Sequence, residues 1–145
     1  MRLLYVVTED WYFLSHRLPM ARAARDAGFE VHVATRVVDG AAAIQAEGFT
    51  LHPVPFVRGR VSPLGTIATI RALRHVHLMV QPAIAHHVSL QAAVLGSIAA
   101  WGRPVSGVNA LTGMGFAFTS GNAKALLLRP ILSMLLRLLY ASLVI

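Results

Sequence analysis

Short apolar runs alternate along the chain with longer amphipathic stretches. Residues 2–8 form an apolar run that stops at the acidic pair Glu9 and Asp10, as a buried parallel strand does. Similar runs predict strands at residues 29–35, 49–56, 83–88, 105–110 and 142–145. The intervening stretches predict helices at residues 15–28, 40–48, 63–80, 89–101 and 123–140. This alternation predicts an α/β fold with a Rossmann-like, doubly wound parallel sheet.

Local signals predict where several elements begin or end. Ser15 is a favourable N-cap for the first helix, and Pro19 falls in its first turn, where a missing N–H costs little. Pro53 and Pro55 predict a third strand that is short or lies at a sheet edge. The core-facing side of the helix at 63–80 is expected to carry Ile70, Leu73, Val76, His77 and Val80.

Ligands of doubly wound sheets bind beyond the carboxyl ends of the strands. In this chain those ends lead into residues 8–13, 35–39, 86–90 and 110–118. The first of these loops has no glycine that would let a pyrophosphate approach a helix N-terminus. The pattern therefore disfavours an NAD-dependent oxidoreductase.

The composition indicates an apolar and basic surface. Of the 145 residues, 56% are hydrophobic and 13% are charged, and none is cysteine; ordinary soluble domains average roughly 45–50% and 25%. All six acidic residues lie within the first 47 positions, whereas residues 48–145 hold eight basic side chains and no acid. The arginines are embedded among aliphatic residues, which suits anionic lipid headgroups better than nucleic acid.

We therefore expect peripheral association with the cytoplasmic face of an anionic inner membrane. In the helix predicted at 123–140, Arg129, Ser133 and Arg137 form one narrow stripe on an otherwise apolar surface. Such a helix is either buried on most sides or lies in the membrane interface. The arginines expected to face the membrane are Arg58, Arg60, Arg71, Arg74, Arg129 and Arg137.

Polar side chains concentrate after the first strand. They are Glu9, Asp10, Ser15, His16 and Arg17. His16 and Arg17 are expected in the opening turn of a helix, whose N–H groups favour anions or hydroxyls. Either carboxylate could bind a sugar hydroxyl or act as a base, but adjacent residues on an extended chain point in opposite directions, so at most one faces the cleft. The alternative interpretation is a helix cap beside solvated charges.

Two adjacent histidines, His86 and His87, end the fourth predicted strand, so one ring should lie on each face of the sheet. A metal site is not expected, because the chain has no cysteine and the other histidines are scattered. The alternative is that one of the pair is a hydrogen-bonded core residue. After the fifth strand, Thr112, Gly113 and Gly115 could line a cleft with backbone N–H groups or could simply form a turn.

Four segments in series resemble the amino-terminal half of family 4 glycosyltransferases, which have the GT-B fold. The segments are residues 7–36, 47–74, 85–100 and 108–120, and they include SHRLP at the first helix and TGMGF after the fifth strand. The resemblance extends over nearly the whole chain. It is closest to bacterial members that extend lipid-linked sugars for surface polysaccharide or glycoprotein assembly.

The resemblance implies that residues 1–145 are an acceptor-binding domain, and that the carboxy-terminal domain, which is absent, would bind a nucleotide-sugar donor. Transfer would be retaining and would need no metal or other cofactor, and the acceptor would be a polyprenyl-diphosphate-linked glycan. The positions that match the family are Ser15, His16, Arg17, His86, His87, Thr112, Gly113 and Gly115. The three histidines are the catalytic candidates, and the others, with Glu9 and Asp10, are expected to shape the acceptor site and the cleft.

Two features keep other functions open. Many relatives carry a glycine pair after the first strand, where this sequence has Glu9, Asp10 and Trp11, so this chain is expected to bind donor nucleotide weakly. The donor-binding domain is also absent, so the chain is expected to be inactive alone. One alternative is a membrane-associated Rossmann-like module that binds a lipid-linked or sugar ligand without catalysis. Another is a nucleotide-dependent enzyme of a different family.

Overall fold

The computed structural model describes residues 1–57 and 62–111, which form alternating strands and helices. The strands are β1 Arg2–Glu9, β2 Glu30–Arg36, β3 Thr50–Pro53, β4 Ile84–Val88 and β5 Ser106–Ala110. The helices are α1 Asp10–His16, α2 Leu18–Asp26, α3 Ala41–Ala46, α4 Pro63–Val80 and α5 Leu90–Ala100.

The five strands form one parallel sheet in the order β3-β2-β1-β4-β5. From β1 the chain moves outward to β3, then crosses back and adds β4 and β5 on the other side of β1. The predicted Rossmann-like, doubly wound α/β fold is confirmed. The strand order reverses between β1 and β4, and their carboxyl ends flank the position where such sheets bind ligands.

Both faces of the central strand are buried, which explains why its sequence is continuously apolar. Leu4 and Val6 lie on the face covered by α4 and α5, where they join a cluster with Leu73 and Leu95. On the opposite face, covered by α1, α2 and α3, the cluster consists of Leu3, Tyr5, Val7, Phe13, Ala21, Val31, Val33, Ile44, Phe49 and Val88.

Several predicted boundaries are confirmed. Helix α4 spans Pro63–Val80 as predicted, and Ser62 caps it by accepting a hydrogen bond from the Gly65 N–H at 3.3 Å. Ser89 caps α5 in the same way, through the Ala92 N–H at 3.3 Å. Strand β3 has only four residues and lies at the sheet edge; its last residue, Pro53, and the following Pro55 have no N–H to donate to the hydrogen-bond ladder.

The prediction that Ser15 begins the first helix is wrong. The chain enters α1 directly from β1, with Glu9 at the N-cap and Asp10 in the first turn, and a second helix begins at Leu18 after a break at Arg17. Ser15 lies in the last turn of α1. The local capping signal was overridden because Asp10 makes backbone contacts 28 to 30 residues away, which start the helix five residues earlier.

Several sequence-based predictions lie outside the described residues. They are the helix at 123–140, the strand at 142–145, and the roles of Arg58, Arg60, Thr112, Gly113, Gly115, Arg129 and Arg137. Within residues 1–57 and 62–111, no helix combines the length and apolar character needed to cross a bilayer.

Candidate functional site at the carboxyl edge of the sheet

A cleft of about 160 Å³ opens at the carboxyl end of β1, beside the reversal of strand order. It is bounded by the end of β1, the start of α1, the segment after β3 and the first turn of α5. The lining residues are Thr8, Glu9, Trp11, Tyr12, Phe56, Val57 and Gln91. Because this is where doubly wound sheets bind ligands, we take the cleft as the candidate site.

Glu9 lines this cleft and is held in place by an ion pair. One of its carboxylate oxygens accepts hydrogen bonds from Nε and Nη2 of Arg36 at 3.1 and 2.9 Å. The Glu9 side chain is 8% exposed, whereas that of Arg36 is 38% exposed, so the carboxylate is buried beneath a partly solvated guanidinium. Glu9 can therefore present its remaining oxygen to a ligand while Arg36 fixes its orientation.

Asp10 faces away from the cleft and holds the loop between β2 and α3. Its oxygens accept hydrogen bonds from the backbone N–H groups of Trp11, Val38, Asp39 and Gly40 at 2.7–3.1 Å. Burial alone would raise the pKa of this carboxyl, but the N–H donors outweigh burial and lower the pKa below its ordinary value. Since Asp10 is fully buried and accepts these four hydrogen bonds, three of them on Oδ2, we assign it a structural role in place of the predicted acceptor contact.

Gly40 is required by the same arrangement. A Cβ at this position would lie 2.9 Å from Leu14 Cδ1 and 3.1 Å from both Cβ and Cγ of Asp10. A side chain at this position would therefore require Leu14 and Asp10 to shift, which would disturb the hydrogen bonds that Asp10 accepts.

Ser15 and His16 form an exposed hydrogen-bonded pair at the end of α1. The Ser15 hydroxyl donates to the Trp11 carbonyl at 2.7 Å, and its oxygen lies 2.7 Å from His16 Nδ1. Because the hydroxyl proton is already used, the His16 Nδ1–H must be the donor in this second bond. His16 Nε2 is therefore the nitrogen with the free lone pair, the state required of a general base.

The surroundings of His16 differ from those expected from the sequence. His16 is the last residue of α1 and does not lie in the first turn of a helix. The predicted effect of free N–H groups at a helix N-terminus therefore does not apply to it. Its ring stacks on Tyr12, with centroids 4.3 Å apart and planes 8° apart. Since Tyr12 lines the cleft, His16 lies one ring away from it.

Arg17 links α1 to α2 and carries an unneutralised positive charge. It makes no ion pair within the described part of the chain, and its Nε is buried without a hydrogen-bond partner. Burial lowers the pKa of His86, and the charge of Arg17 lowers it further. A cation next to a neutral imidazole is suited to binding an anionic group.

His86 and His87 lie on opposite faces of the sheet, as predicted. His86 is beside Tyr5 on the face covered by α1 and α2, and the two rings stack with centroids 5.2 Å apart. His87 is 1% exposed beneath α5, and its Nδ1 lies 2.8 Å from the Asn109 side-chain oxygen.

His87 is packed too tightly to reach the cleft. A Cβ added at Gly96 of α5 would lie 2.5 Å from the His87 ring. Burial lowers the pKa of His87 to about 4, even though the bond to Asn109 opposes this. His87 is therefore a neutral core histidine, which is the alternative interpretation of the pair, and the predicted catalytic role does not fit this position.

Of the seven residues that line the cleft, only Glu9 was among the predicted site residues. Tyr12, Phe56 and Gln91 come from α1, the segment after β3 and α5, which meet only in the folded chain. Gln91 also joins two of these segments, because its Nε2 donates to the Val57 carbonyl at 3.2 Å. Their positions just after predicted strand ends were the available signal. Among residues 1–57 and 62–111, no group of three or more His, Asp or Glu side chains could hold a metal ion.

Comparison with known families gives a match over almost the whole chain. The model described as "Glycosyl transferase 4-like" matches residues 2–145. Comparison with curated protein sequences gave no match.

Solved structures share the fold at low sequence identity. MurG of Acinetobacter baumannii has a TM-score of 0.58 and 12% identity over 74% of this chain and 33% of its own. Sucrose-phosphate synthase of Thermosynechococcus elongatus has a TM-score of 0.61 and 8% identity over 91% and 40%. A putative UDP-N-acetylglucosamine 2-epimerase of Listeria monocytogenes has a TM-score of 0.57 and 11% identity over 74% and 29%. This chain thus spans well under half the length of these proteins.

Proposed function

Because this chain belongs to the glycosyl transferase 4-like family, we propose that it is the acceptor-binding part of a retaining glycosyltransferase. The donor would be a nucleotide sugar, bound mainly by a second domain in the same polypeptide or in a separate chain. The acceptor would be a polyprenyl-diphosphate-linked glycan used in surface polysaccharide or glycoconjugate synthesis. No metal or other cofactor takes part in the proposed reaction.

The observation that carries this proposal is the orientation of His16 beside the cleft. The Ser15 hydroxyl keeps the proton of His16 on Nδ1, so Nε2 can accept a proton from an acceptor hydroxyl. In the proposed transfer, this hydroxyl oxygen forms the new glycosidic bond as the bond to the nucleoside diphosphate breaks. Trp11, which is 50% exposed, and Tyr12 provide aromatic surface for the acceptor.

Arg17 supports an acceptor that carries negative charge. Its guanidinium is not neutralised by any ion pair among the described residues, and it acts on His86 at the sheet edge. A diphosphate would supply oxygens that accept hydrogen bonds from the guanidinium, in charge-assisted bonds stronger than neutral ones. We assign Arg17 to the diphosphate and His16 to the sugar hydroxyl.

The outer surface of α4 supports a lipid-linked acceptor. Arg71 and Arg74 are exposed on it, and so are the apolar side chains of Leu64, Ile67, Leu78 and Met79. A helix face that mixes arginine with large apolar side chains suits an anionic bilayer interface. The proposal therefore includes peripheral attachment at the cytoplasmic face of the inner membrane.

Acceptor binding by the full chain tests the proposal. A short-chain, water-soluble polyprenyl-diphosphate sugar should bind saturably in titration calorimetry, and Arg17→Gln should weaken binding at least about tenfold, as expected for a lost charge-assisted bond. Arg22→Gln, which removes the same charge from an exposed position on α2, is the matched control and should bind like the unmodified chain. Equal losses in the two variants, or no saturable binding, would contradict the proposal.

A further inference from the structure

A second cavity lies at the opposite, amino edge of the sheet, where α4 ends and β4 and β5 begin. Its volume is about 390 Å³, which is within the range of small-molecule sites. The lining residues are His77, Gln81, Pro82, Arg103, Pro104 and Val105. The proposed glycosyl transfer uses none of them.

Two of the lining residues, His77 and Arg103, carry buried polar atoms that have no hydrogen-bond partner among the described residues. His77 is 1% exposed, and neither of its ring nitrogens has a hydrogen-bond partner. The Nε of Arg103 is also buried and unpartnered. Each such atom costs about 1–3 kcal/mol when it is left unsatisfied, so a ligand or a water molecule that supplies partners is favoured here.

Among the described residues, no acidic side chain forms an ion pair with Arg103. All six acidic residues precede position 48, and no acid lines the cavity. Glu30, the acid nearest in the fold to this edge through its pairing with Arg2, already bonds both Arg2 and His32. Arg103 therefore contributes an uncompensated positive charge.

The carbonyl groups at the end of α4 would oppose an anion, but two of them are already bonded. Arg2 Nη1 donates to the Val80 carbonyl at 2.7 Å, and the Gln81 N–H donates to the His77 carbonyl at 3.0 Å. Arg2 is itself paired with Glu30, so Arg103 carries the excess positive charge at this edge. The local balance of charge thus favours an anion over a cation.

We propose that this cavity binds a small anionic ligand, a carboxylate or phosphate attached to an apolar group. Arg103 binds the anionic oxygens through its guanidinium, which matches their planar spacing. His77 donates a hydrogen bond from one ring nitrogen, and Gln81 provides an amide. Pro82, Pro104 and Val105 contact the apolar part of the ligand.

His77 is suited to this task as a neutral donor. Burial, with smaller contributions from the nearby His87 and Arg103, lowers its pKa to about 4. A neutral imidazole carries one N–H donor and one acceptor, so one nitrogen can bind the anion and the other can bind a ligand hydroxyl or a water molecule.

Three probes test the site with the full chain at constant ionic strength. They are inorganic phosphate, phenyl phosphate and benzoate, which separate the anionic group from the apolar body. Phenyl phosphate or benzoate should bind with a Kd of about 1 mM, as expected for fragments of this size, and inorganic phosphate should bind more weakly. The stronger of the two aromatic probes identifies phosphate or carboxylate as the preferred group.

Variants locate the binding. Arg103→Gln should weaken the stronger probe at least about tenfold, whereas Arg71→Gln, an exposed arginine on α4 with the same charge change, should leave the Kd unchanged. In the unmodified chain, the ring proton resonances of His77 should shift with saturation, while those of His16 should not; this measurement stands even if Arg103→Gln fails to fold. Absence of saturable binding, or equal shifts at His16 and His77, would overturn the proposal.

Discussion

The two halves of the sheet differ in how many of their buried polar groups have hydrogen-bond partners. In the half built from β1, β2 and β3, buried polar groups find partners within the chain: Glu9 pairs with Arg36, and Asp10 accepts four backbone hydrogen bonds. In the half built from β4 and β5, several buried polar atoms have no partner in the described chain, although His87 Nδ1 bonds Asn109. These atoms are both ring nitrogens of His77, Nε2 of His87, the hydroxyl of Ser97 and Nε of Arg103.

The difference follows from where the acids are. A buried cation or donor is satisfied most strongly by a carboxylate, and every carboxylate of this chain belongs to the first 47 residues. The buried polar groups of the first half therefore find their partners within the chain, whereas those of the second half depend on water or on ligands. Arg17 is the exception in the first half, and it acts on His86 of the second, at the boundary where we place the acceptor diphosphate.

The largest expected effect is the loss of the carboxylate that closes the first half. Asp10→Ala leaves four backbone N–H groups without an acceptor, and we expect the free energy of unfolding to fall by about 4 kcal/mol, because each bond to a charged acceptor is worth about 1.5–3 kcal/mol and part of the loss is recovered by water. Urea denaturation measures it. Asp39→Ala, which removes an exposed carboxylate from the same loop, is the control and should change stability by less than about 0.5 kcal/mol.

Mild acid should lower the stability of the protein through the buried histidines of the second half. Burial lowers the pKa values of His77 and His87 to about 4 in the folded chain, from the ordinary value of 6.5. The unfolded chain therefore binds more protons than the folded chain between these values, so stability is complete above pH 6.5 and is lost as the pH falls toward 4. At pH 5 the loss is about 2 kcal/mol for each histidine.

A substitution assigns this acid sensitivity. His77→Leu removes one of the two groups, so the difference in the free energy of unfolding between pH 7 and pH 5 should fall by about 2 kcal/mol. His16→Leu, at an exposed position, should leave that difference unchanged. If the two variants have the same pH dependence of stability, protonation of His77 is not the cause of the acid sensitivity.

His16 belongs to the first half but is exposed, so it should matter to activity and little to folding. With a donor-binding domain supplied, His16→Ala should lower transfer to a polyprenyl-diphosphate sugar about 100-fold or more, the range for a lost general base. In a thermal melt of the same variant, the free energy of unfolding should change by about 1 kcal/mol or less. Full activity would remove His16 from the proposed site.

Ser15→Ala provides the matched comparison for His16. It keeps the imidazole but removes the oxygen that accepts its Nδ1–H. We expect a smaller loss of kcat than in His16→Ala, and a shifted pH profile, because the proton is no longer held on Nδ1. A purely structural role for Ser15 would leave the pH profile unchanged.

The smallest expected effect concerns the basic outer face of the second half. Replacing Arg71 and Arg74 by glutamine should weaken binding to anionic vesicles by about 1 kcal/mol for each arginine, and added salt should weaken it further. Replacing Arg22 and Arg25 on α2, on the other side of the sheet, is the control and should have less effect. Equal sedimentation with neutral and anionic vesicles would exclude the electrostatic contribution.

Much of the fold was predictable because its signals are local. The apolar periodicity of α4, the serines that precede α4 and α5, and the prolines after β3 act within a few residues of themselves. The site was predictable only in part. Its location at the carboxyl edge follows from the topology, and the exposed Ser15 and His16 were named, but the cleft also needs Phe56 and Gln91 from distant segments.

The sequence by itself determined the alternation of strands and helices, the opposite faces of His86 and His87, and the separation of acids from the basic half. Only the tertiary structure decided that Asp10 holds a loop 28 to 30 residues away, that His87 is closed off by Gly96, and that His77 and Arg103 share a cavity. The physical reason is distance along the chain. Periodicity and capping arise between residues close in sequence. The partner of a buried polar atom depends instead on which distant segments the folded sheet brings together.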